Sequence, residues 1–128
     1  MKYIYVIIFS LISMGLIACS ADKAPNTDTS MKGSMSRLDK ETKALIGTSS
    51  CSSDNQCHSL GFGHKACGGF FSYRIYSDQN TDVSLLKTKV NQYNALSRKI
   101  NKNNNLVSDC MMLMKPQLAC RNQRCQIK

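Results

Sequence analysis

Residues 70–102, with the sequence FFSYRIYSDQNTDVSLLKTKVNQYNALSRKINK, decide the fold that we expect for this chain. The stretch 70–76 is aromatic and β-branched and follows two glycines, which is typical of a strand. After it, Thr81 and Asp82 are candidate N-caps of a long helix, and the three asparagines at 103–105 form a natural stop. The apolar residues between them recur every three or four positions, as on one face of a helix: Val83, Leu86, Val90, Tyr93, Leu96 and Ile100.

The opposite face of this helix is polar. We expect it to present Lys87, Asn91, Asn94, Arg98 and Lys102 to solvent.

Outward from this stretch the elements are shorter. Ser36 is a plausible N-cap for a helix over 37–46. Residues 110–114 predict a strand that ends before Pro116, and residues 118–127 predict a hairpin with its turn between Arg121 and Arg124. The predicted fold class is therefore α+β, a small disulfide-stapled domain with one main helix packed on a short antiparallel sheet.

The size of the chain excludes several classes of protein. With 128 residues and 42% hydrophobic content, it holds one small globular domain. It is too short for a multidomain enzyme or a Rossmann-type nucleotide binder, and it lacks the repeated apolar spans of a polytopic membrane protein.

The N-terminus is typical of an export signal. Lys2 precedes an apolar run over 3–18, which as a helix would span only ~24 Å of a ~30 Å hydrocarbon core. The run ends in Leu16-Ile17-Ala18-Cys19, which resembles the lipobox of bacterial lipoproteins. The resemblance implies that residues 1–18 are removed and that Cys19 carries acyl chains, which bind the protein to a lipid bilayer.

Two alternatives to lipidation are an ordinary cleaved signal peptide and an uncleaved anchor. Ser20, in place of Asp, favours the outer membrane by resemblance to enterobacterial sorting rules. Residues 19–35 then form the lipidated cysteine and a flexible tether, and residues 36–128 form the domain, with its core in 51–128.

The cysteine count predicts a disulfide scaffold. The chain has seven cysteines, and lipidation of Cys19 leaves an even number. A domain this small buries too little apolar surface without covalent staples, so we expect three disulfides in an oxidising compartment. Their connectivity stays open. The cysteines are Cys51, Cys57, Cys67, Cys110, Cys120 and Cys125.

Metal binding and redox activity are less favoured interpretations of the sulfur-containing residues. No Cys-x-x-Cys occurs, and the spacing of cysteines with His58 and His64 matches no compact zinc motif. Met111, Met112 and Met114 beside Cys110 would suit Cu(I), but core packing is the more common role of methionine. We therefore expect no cofactor and no metal.

No catalytic residue is assigned. His58 and His64 flank the turn-like stretch 60–63 and are expected in exposed loops, and no Gly-x-Ser-x-Gly elbow occurs. Gly61, Gly63 and the pair 68–69 form no phosphate-binding loop and are expected to serve tight turns. The carboxylates that follow residue 50 are four aspartates, too few to favour a paired-acid glycosidase.

Positive charge is the surface feature that suggests a partner. From Cys51 onward, 11 Lys and Arg face 4 Asp, within a formal net charge of +9 for the whole chain. Either this is a solvated face, or it attracts an anionic envelope component or an envelope protein. Nucleic acid is not expected outside the cytoplasm. The candidate basic binding surface is Lys87, Arg98, Lys102, Arg121 and Arg124.

The cysteine-rich part also resembles a known group. Over residues 44–127 the chain is similar to an uncharacterised group of small cysteine-rich bacterial envelope lipoproteins, although Phe70 stands where that group has proline. The resemblance implies secretion and a disulfide scaffold, and it carries no activity. The matching positions are 51–57, 63–69, Tyr73, 76–77, 81–82, 108–110, Pro116, Cys120 and Cys125.

These features together predict a lipid-anchored envelope lipoprotein that acts as a non-catalytic binding or inhibitor-like module. The alternative is a periplasmic metal-handling or enzymatic protein that uses His58, His64 or the sulfur-rich residues 110–114. A structural accessory of a larger envelope complex is a third possibility.

Overall fold

The computed structural model describes residues 26–128. The predicted signal segment 1–18, the predicted acylation site Cys19 and the first tether residues, 20–25, lie outside the described residues. The fold is α+β, as predicted, with two helices and two small antiparallel sheets. Its elements, in order, are α1 (Thr27–Ile46), a 3₁₀ turn (Asp54–Gln56), β1 (Cys57–His64), β2 (Phe70–Ser77), α2 (Val83–Asn103), β3 (Leu118–Arg121) and β4 (Arg124–Ile127).

The two sheets are hairpins. β1 pairs with β2 from Cys57 opposite Ser77 to His64 opposite Phe70. β3 pairs with β4, with Cys120 opposite Cys125. Helix α2 packs against both β1 and α1, so β1 lies at the centre of the larger part of the domain.

Three predicted elements are confirmed. The strand over 70–76 is β2, the hairpin over 118–127 is β3 and β4, and the long helix is α2. Helix α2 begins where the sequence indicates, because the Asp82 side chain accepts a hydrogen bond from the Leu85 N–H at 2.9 Å. It ends at the asparagines, where Asn105 adopts the left-handed conformation (φ 48°).

Helix α1 begins at Thr27, ten residues before the predicted start at 37. The flexible tether predicted over 20–35 is therefore wrong for residues 27–35. Asn26, and not Ser36, caps the helix by accepting a hydrogen bond from the Asp28 N–H at 3.2 Å. Met31 and Leu38 lie two helical turns apart on α1 and are both buried. Their burial stabilises the first half of this helix, whose composition is otherwise typical of a linker.

The turn-like stretch expected over 60–63, with His58 and His64 in flanking loops, is wrong, because these residues belong to β1. His58, Gly61 and Gly63 all lie within the strand. Gly61 is required for close packing, because a Cβ at this position would lie 2.2 Å from the Phe70 ring. The turn between β1 and β2 is made by Gly68 and Gly69, both at positive φ, as the sequence indicates.

Residues 110–114 form no strand, contrary to prediction. Side chains from β2 and the β1–β2 turn take up two of their backbone carbonyls: Lys65 donates to the carbonyl of Met111 and Tyr73 to that of Leu113. The three methionines of the segment are exposed by 75–87%, so the expected packing of these residues in the core is also wrong.

The domain has two small cores. The larger one joins the first sheet to α2, and the smaller one is built around the cysteines that link the second hairpin to β1 and the segment before it. These two cores and the three disulfides described below give residues 26–128 buried apolar contacts and covalent links of their own. We therefore expect residues 26–128 to fold on their own. The buried residues are Phe62, Tyr76, Leu86 and Val90 in the first core and Cys51, Cys57 and Cys125 in the second.

The six domain cysteines form three disulfides, as predicted. The pairs are Cys51–Cys120, Cys57–Cys125 and Cys67–Cys110. The first two tie the C-terminal hairpin to the start of β1. The third ties the β1–β2 turn to the segment that follows α2, at the other end of the domain.

Candidate functional site

A pocket lies where the end of β1 meets the last turns of α2. It is an open depression of about 400 Å³, and its lining includes three basic and no acidic side chains. We call it the cationic pocket and define it by six of its lining residues: His64, Lys65, Arg98, Asn101, Lys102 and Leu106.

Hydrogen bonds between the His64 backbone and side chains of α2 fix the position of this wall. The His64 N–H donates to Ser97 Oγ at 2.9 Å, and Asn101 Nδ2 donates to the His64 carbonyl at 2.6 Å. Residues 97 and 101 are one turn apart on α2, so the end of β1 is held against two successive turns of the helix. The side chains of Arg98 and Lys102 then stand beside it.

One cation of the pocket, Lys65, is already paired with a carboxylate. Lys65 Nζ lies 2.5 Å from Asp109 Oδ1 and also donates to the Met111 carbonyl at 2.9 Å. The hydrogen bond from Lys65, together with its charge, lowers the pKa of Asp109 below its ordinary value. Asp109 therefore balances Lys65 and leaves the other pocket cations uncompensated.

Arg98 and Lys102 belong to the larger group of cations in residues 26–128 that form no ion pair, whereas six Lys and Arg side chains are paired. Lys43, Arg74, Lys89 and Lys128 each form an ion pair with a carboxylate. Among the described residues, neither Arg98 nor Lys102 has a carboxylate oxygen within 4.0 Å.

The remaining members of the predicted basic surface lie elsewhere. Lys87 is exposed on α2, about 16 Å along the helix axis from Arg98 at the rise of an α-helix. Arg121 and Arg124 flank the turn of the second hairpin, where Arg124 Nε donates to the Thr48 carbonyl just after α1. The structure brings Arg98 and Lys102 together and does not join the other three to them.

An exposed apolar segment borders the cationic pocket. We call residues 106–114 the apolar loop; its first residue, Leu106, is also part of the pocket wall. The exposed apolar side chains of this loop are Leu106, Val107, Met111, Met112, Leu113 and Met114.

The two histidines do not form a common site. They stand six residues apart on one extended strand, which separates them by about 20 Å. His58 Nε2 contacts Asp78 Oδ2 at 2.9 Å, and His64 Nδ1 contacts the Lys65 carbonyl at 2.9 Å. The structure therefore does not bring His58 and His64 to one metal ion.

One cluster in the described part has sulfur atoms close enough to share a metal. The Sγ atoms of Cys51, Cys57 and Cys125 lie within 4.8 Å of one another, but all three cysteines are in disulfides. Cys110 is likewise bonded to Cys67. A thiolate ligand at either place would require reduction of a disulfide.

Sequence reasoning missed half of the pocket. No sequence motif marks three of its residues as part of a site, because each joins the pocket only through the packing of β1 on α2: Lys65, Asn101 and Leu106. The positive charge of the side chains was the only indication in the sequence. It led to the prediction of Arg98 and Lys102, but it did not show that they line one pocket with His64.

Comparison of the chain with models of known protein families, with curated proteins and with solved structures finds no match. No helix within residues 26–128 combines the length and the hydropathy needed to cross a membrane.

Proposed function

We propose that this protein is a lipid-anchored lipoprotein of the bacterial envelope whose domain is a non-catalytic, inhibitor-like binding module for an anionic partner. The observation that carries the proposal is the cationic pocket, where Arg98 and Lys102 lack carboxylate partners among the described residues. The ligand groups that fit are phosphate, sulfate or carboxylate on an envelope molecule.

The C-terminal end of α2 by itself favours nearby cations, and this accounts for part of the arrangement. It does not account for the approach of His64 and Lys65 from a different element. Donors that converge on one concave space from a strand and a helix are typical of a ligand site.

The proposed location is supported by the sequence of the N-terminus. Leu16-Ile17-Ala18-Cys19 would direct acylation of Cys19, and more than one acyl chain gives a stable anchor. The direct test is metabolic labelling with a radioactive fatty acid, which we expect to mark the wild type and not Cys19→Ala. Release of an unlabelled chain into the periplasm would contradict it.

The pocket is tested by titration of residues 20–128, exported to a bacterial periplasm so that the disulfides form. Inorganic phosphate, followed by NMR, is the probe. We expect the largest shifts at the end of β1 and in the last turns of α2, with affinity that falls as salt rises.

The decisive variant is Arg98→Gln with Lys102→Gln, which we expect to weaken phosphate binding about tenfold or more, since each pairing is charge-assisted. The matched control is Lys87→Gln with Arg124→Gln, which removes the same charge away from the pocket. If both variants lost the same affinity for phosphate, the effect would be due to net charge alone, and the proposed site would be contradicted.

A second candidate function is metal handling, and one observation favours it. Met111, Met112 and Met114 are exposed, so their thioethers are accessible to a soft ion such as Cu(I). The test is competition for Cu(I) against a chelator of known affinity, with all three changed to leucine as the comparison. Equal retention of Cu(I) by both proteins would exclude this candidate.

A further inference from the structure

The apolar loop contains six of the nine large hydrophobic residues that are exposed within residues 26–128. Val107 is 95% exposed, Met114 87%, Met112 80% and Met111 75%. Exposure of contiguous apolar side chains to water is unfavourable, and monomeric proteins rarely keep large patches of them. Such patches therefore mark interaction sites.

The apolar loop is held in place. The Cys67–Cys110 disulfide fixes its middle, and Ser108 Oγ accepts a hydrogen bond from the Cys67 N–H at 3.1 Å. Further along, Tyr73 Oη donates to the Leu113 carbonyl at 3.2 Å. Because the domain holds the backbone of the loop, its apolar side chains are left at the surface as a fixed feature.

Cations lie at both ends of the apolar loop. Arg98 and Lys102 share the wall of the cationic pocket with Leu106, and Lys115 follows Met114. Asp109 is the single carboxylate side chain from residue 83 to the end of the chain, and Lys65 balances it. The surface is thus an apolar centre with an uncompensated positive rim.

This combination distinguishes between possible occupants. A second copy of the chain docked face to face would bring two positive rims together, which opposes association. A bilayer with anionic headgroups offers the complementary layers: hydrocarbon for the apolar side chains, and phosphates for the rim.

We propose that the apolar loop is a second membrane contact, which inserts Val107, Met112 and Met114 among the lipids of an anionic bilayer. Arg98, Lys102 and Lys115 then lie at the level of the headgroup phosphates. The inference rests on the proposed function for its cations, while the apolar insertion is independent of it. Together with acylation at Cys19, such a contact would orient the domain on the membrane.

The absence of tryptophan from the chain makes insertion directly measurable. Residues 20–128 with Met112→Trp, which lack Cys19, are mixed with vesicles of phosphatidylcholine alone or with phosphatidylglycerol. We expect a blue shift of the emission, and quenching by brominated acyl chains, with the anionic vesicles only. Leu85→Trp, at an exposed position about 25 Å along the axis of α2 from Lys102, is the matched control and should show neither.

A second set of variants tests the contribution of the side chains to binding. Val107→Ser, Met112→Ser and Met114→Ser in one chain keep every charge, and we expect at least about a tenfold loss of affinity for anionic vesicles. The matched leucine variant at the same positions should bind as the wild type does. Because these side chains are exposed, neither set should disturb the fold.

The outcomes separate this inference from the proposed function. A serine variant that loses vesicle binding but keeps phosphate binding at the pocket supports the inference. Unshifted emission from the loop tryptophan, or full vesicle binding by the serine variant, overturns the membrane contact. Neither result would contradict anion binding at the cationic pocket. A dimer that the serine substitutions dissolve, or an acidic protein captured through the loop in place of lipid, also overturns the membrane contact.

Discussion

The guanidinium carbon of Arg74 lies 4.1 Å from the centre of the Phe62 ring. On its other side Arg74 is hydrogen-bonded to Asp39 of α1, and Phe62 itself stacks on Tyr93 of α2 at 3.9 Å between ring centroids. This column joins both helices to both strands of the larger sheet. A cation on an aromatic face that is also paired with a carboxylate is among the stronger polar arrangements in a small core.

Removal of the carboxylate from this column should destabilise the domain. We expect Asp39→Asn to lower the free energy of unfolding by about 2 kcal/mol, because Arg74 and Lys43 both lose a charged hydrogen-bond partner. Urea denaturation measures the change. The control is Asp78→Asn, whose contact with His58 is more exposed and should contribute much less. Equal losses in the two variants would contradict the special role of the column.

The same carboxylate makes stability depend on pH. Burial opposes ionisation of Asp39, but hydrogen bonds and charges from Lys43 and Arg74 outweigh it and lower its pKa below the ordinary 3.8. The unfolded chain therefore binds the proton more readily, so this contribution is present above about pH 4 and is lost as the pH falls through the lower pKa of the folded state. Urea midpoints measured from pH 7 downward should fall more steeply for the wild type than for Asp39→Asn. Parallel curves would show that Asp39 is not the group responsible.

Asn94 fastens α2 to β1. Its Oδ1 accepts from the Gly63 N–H at 2.8 Å and its Nδ2 donates to the Gly61 carbonyl at 2.9 Å. We expect Asn94→Ala to cost about 2 kcal/mol or more, because two backbone groups lose their partner in a largely buried place. Asn91→Ala, one turn earlier and exposed, should change stability by less than about 0.5 kcal/mol in the same thermal or urea melts. A small effect at Asn94 would mean that water replaces the amide.

Gly61 and Gly33 should respond oppositely to the same substitution. Gly61→Ala places a methyl group against the Phe70 ring and should cost about 1–3 kcal/mol. Gly33→Ala, inside α1 with nothing within 4 Å, should stabilise by about 0.5–1 kcal/mol. Thermal melts of the two variants and the wild type measure both changes in stability. Destabilisation by Gly33→Ala would contradict the helix over this part of the chain.

The disulfides are tested by intact mass of residues 20–128 after alkylation under denaturing conditions. We expect no adduct before reduction and six after it, and proteolytic mapping should give the pairs 51–120, 57–125 and 67–110. Cys67→Ser with Cys110→Ser opens a connection over 43 residues and should cost up to about 4 kcal/mol in the chain-entropy description. Free thiols before reduction would return the metal and redox readings to consideration.

Several features of this protein were determined by the sequence alone, because they depend on neighbours along the chain. The repeat of apolar residues from Val83 to Ile100 specifies α2, and the cap at Asp82 and the asparagines after it set its ends. The aromatic run of β2 and the C-terminal hairpin follow from local composition in the same way. The even number of domain cysteines predicts three bonds without regard to geometry.

Tertiary structure decided the features that depend on distant partners. Asn94 was expected on the solvent face and is buried, because its amide hydrogen-bonds with the backbone of Gly61 and Gly63 in β1. The methionines of the apolar loop are exposed, because a disulfide and two side-chain donors hold their backbone at the surface. The pairing of the cysteines, and the meeting of His64 with Arg98 and Lys102, arise only when β1 packs on α2. No local pattern encodes that packing, because the residues that create it are separated by some thirty positions in the chain.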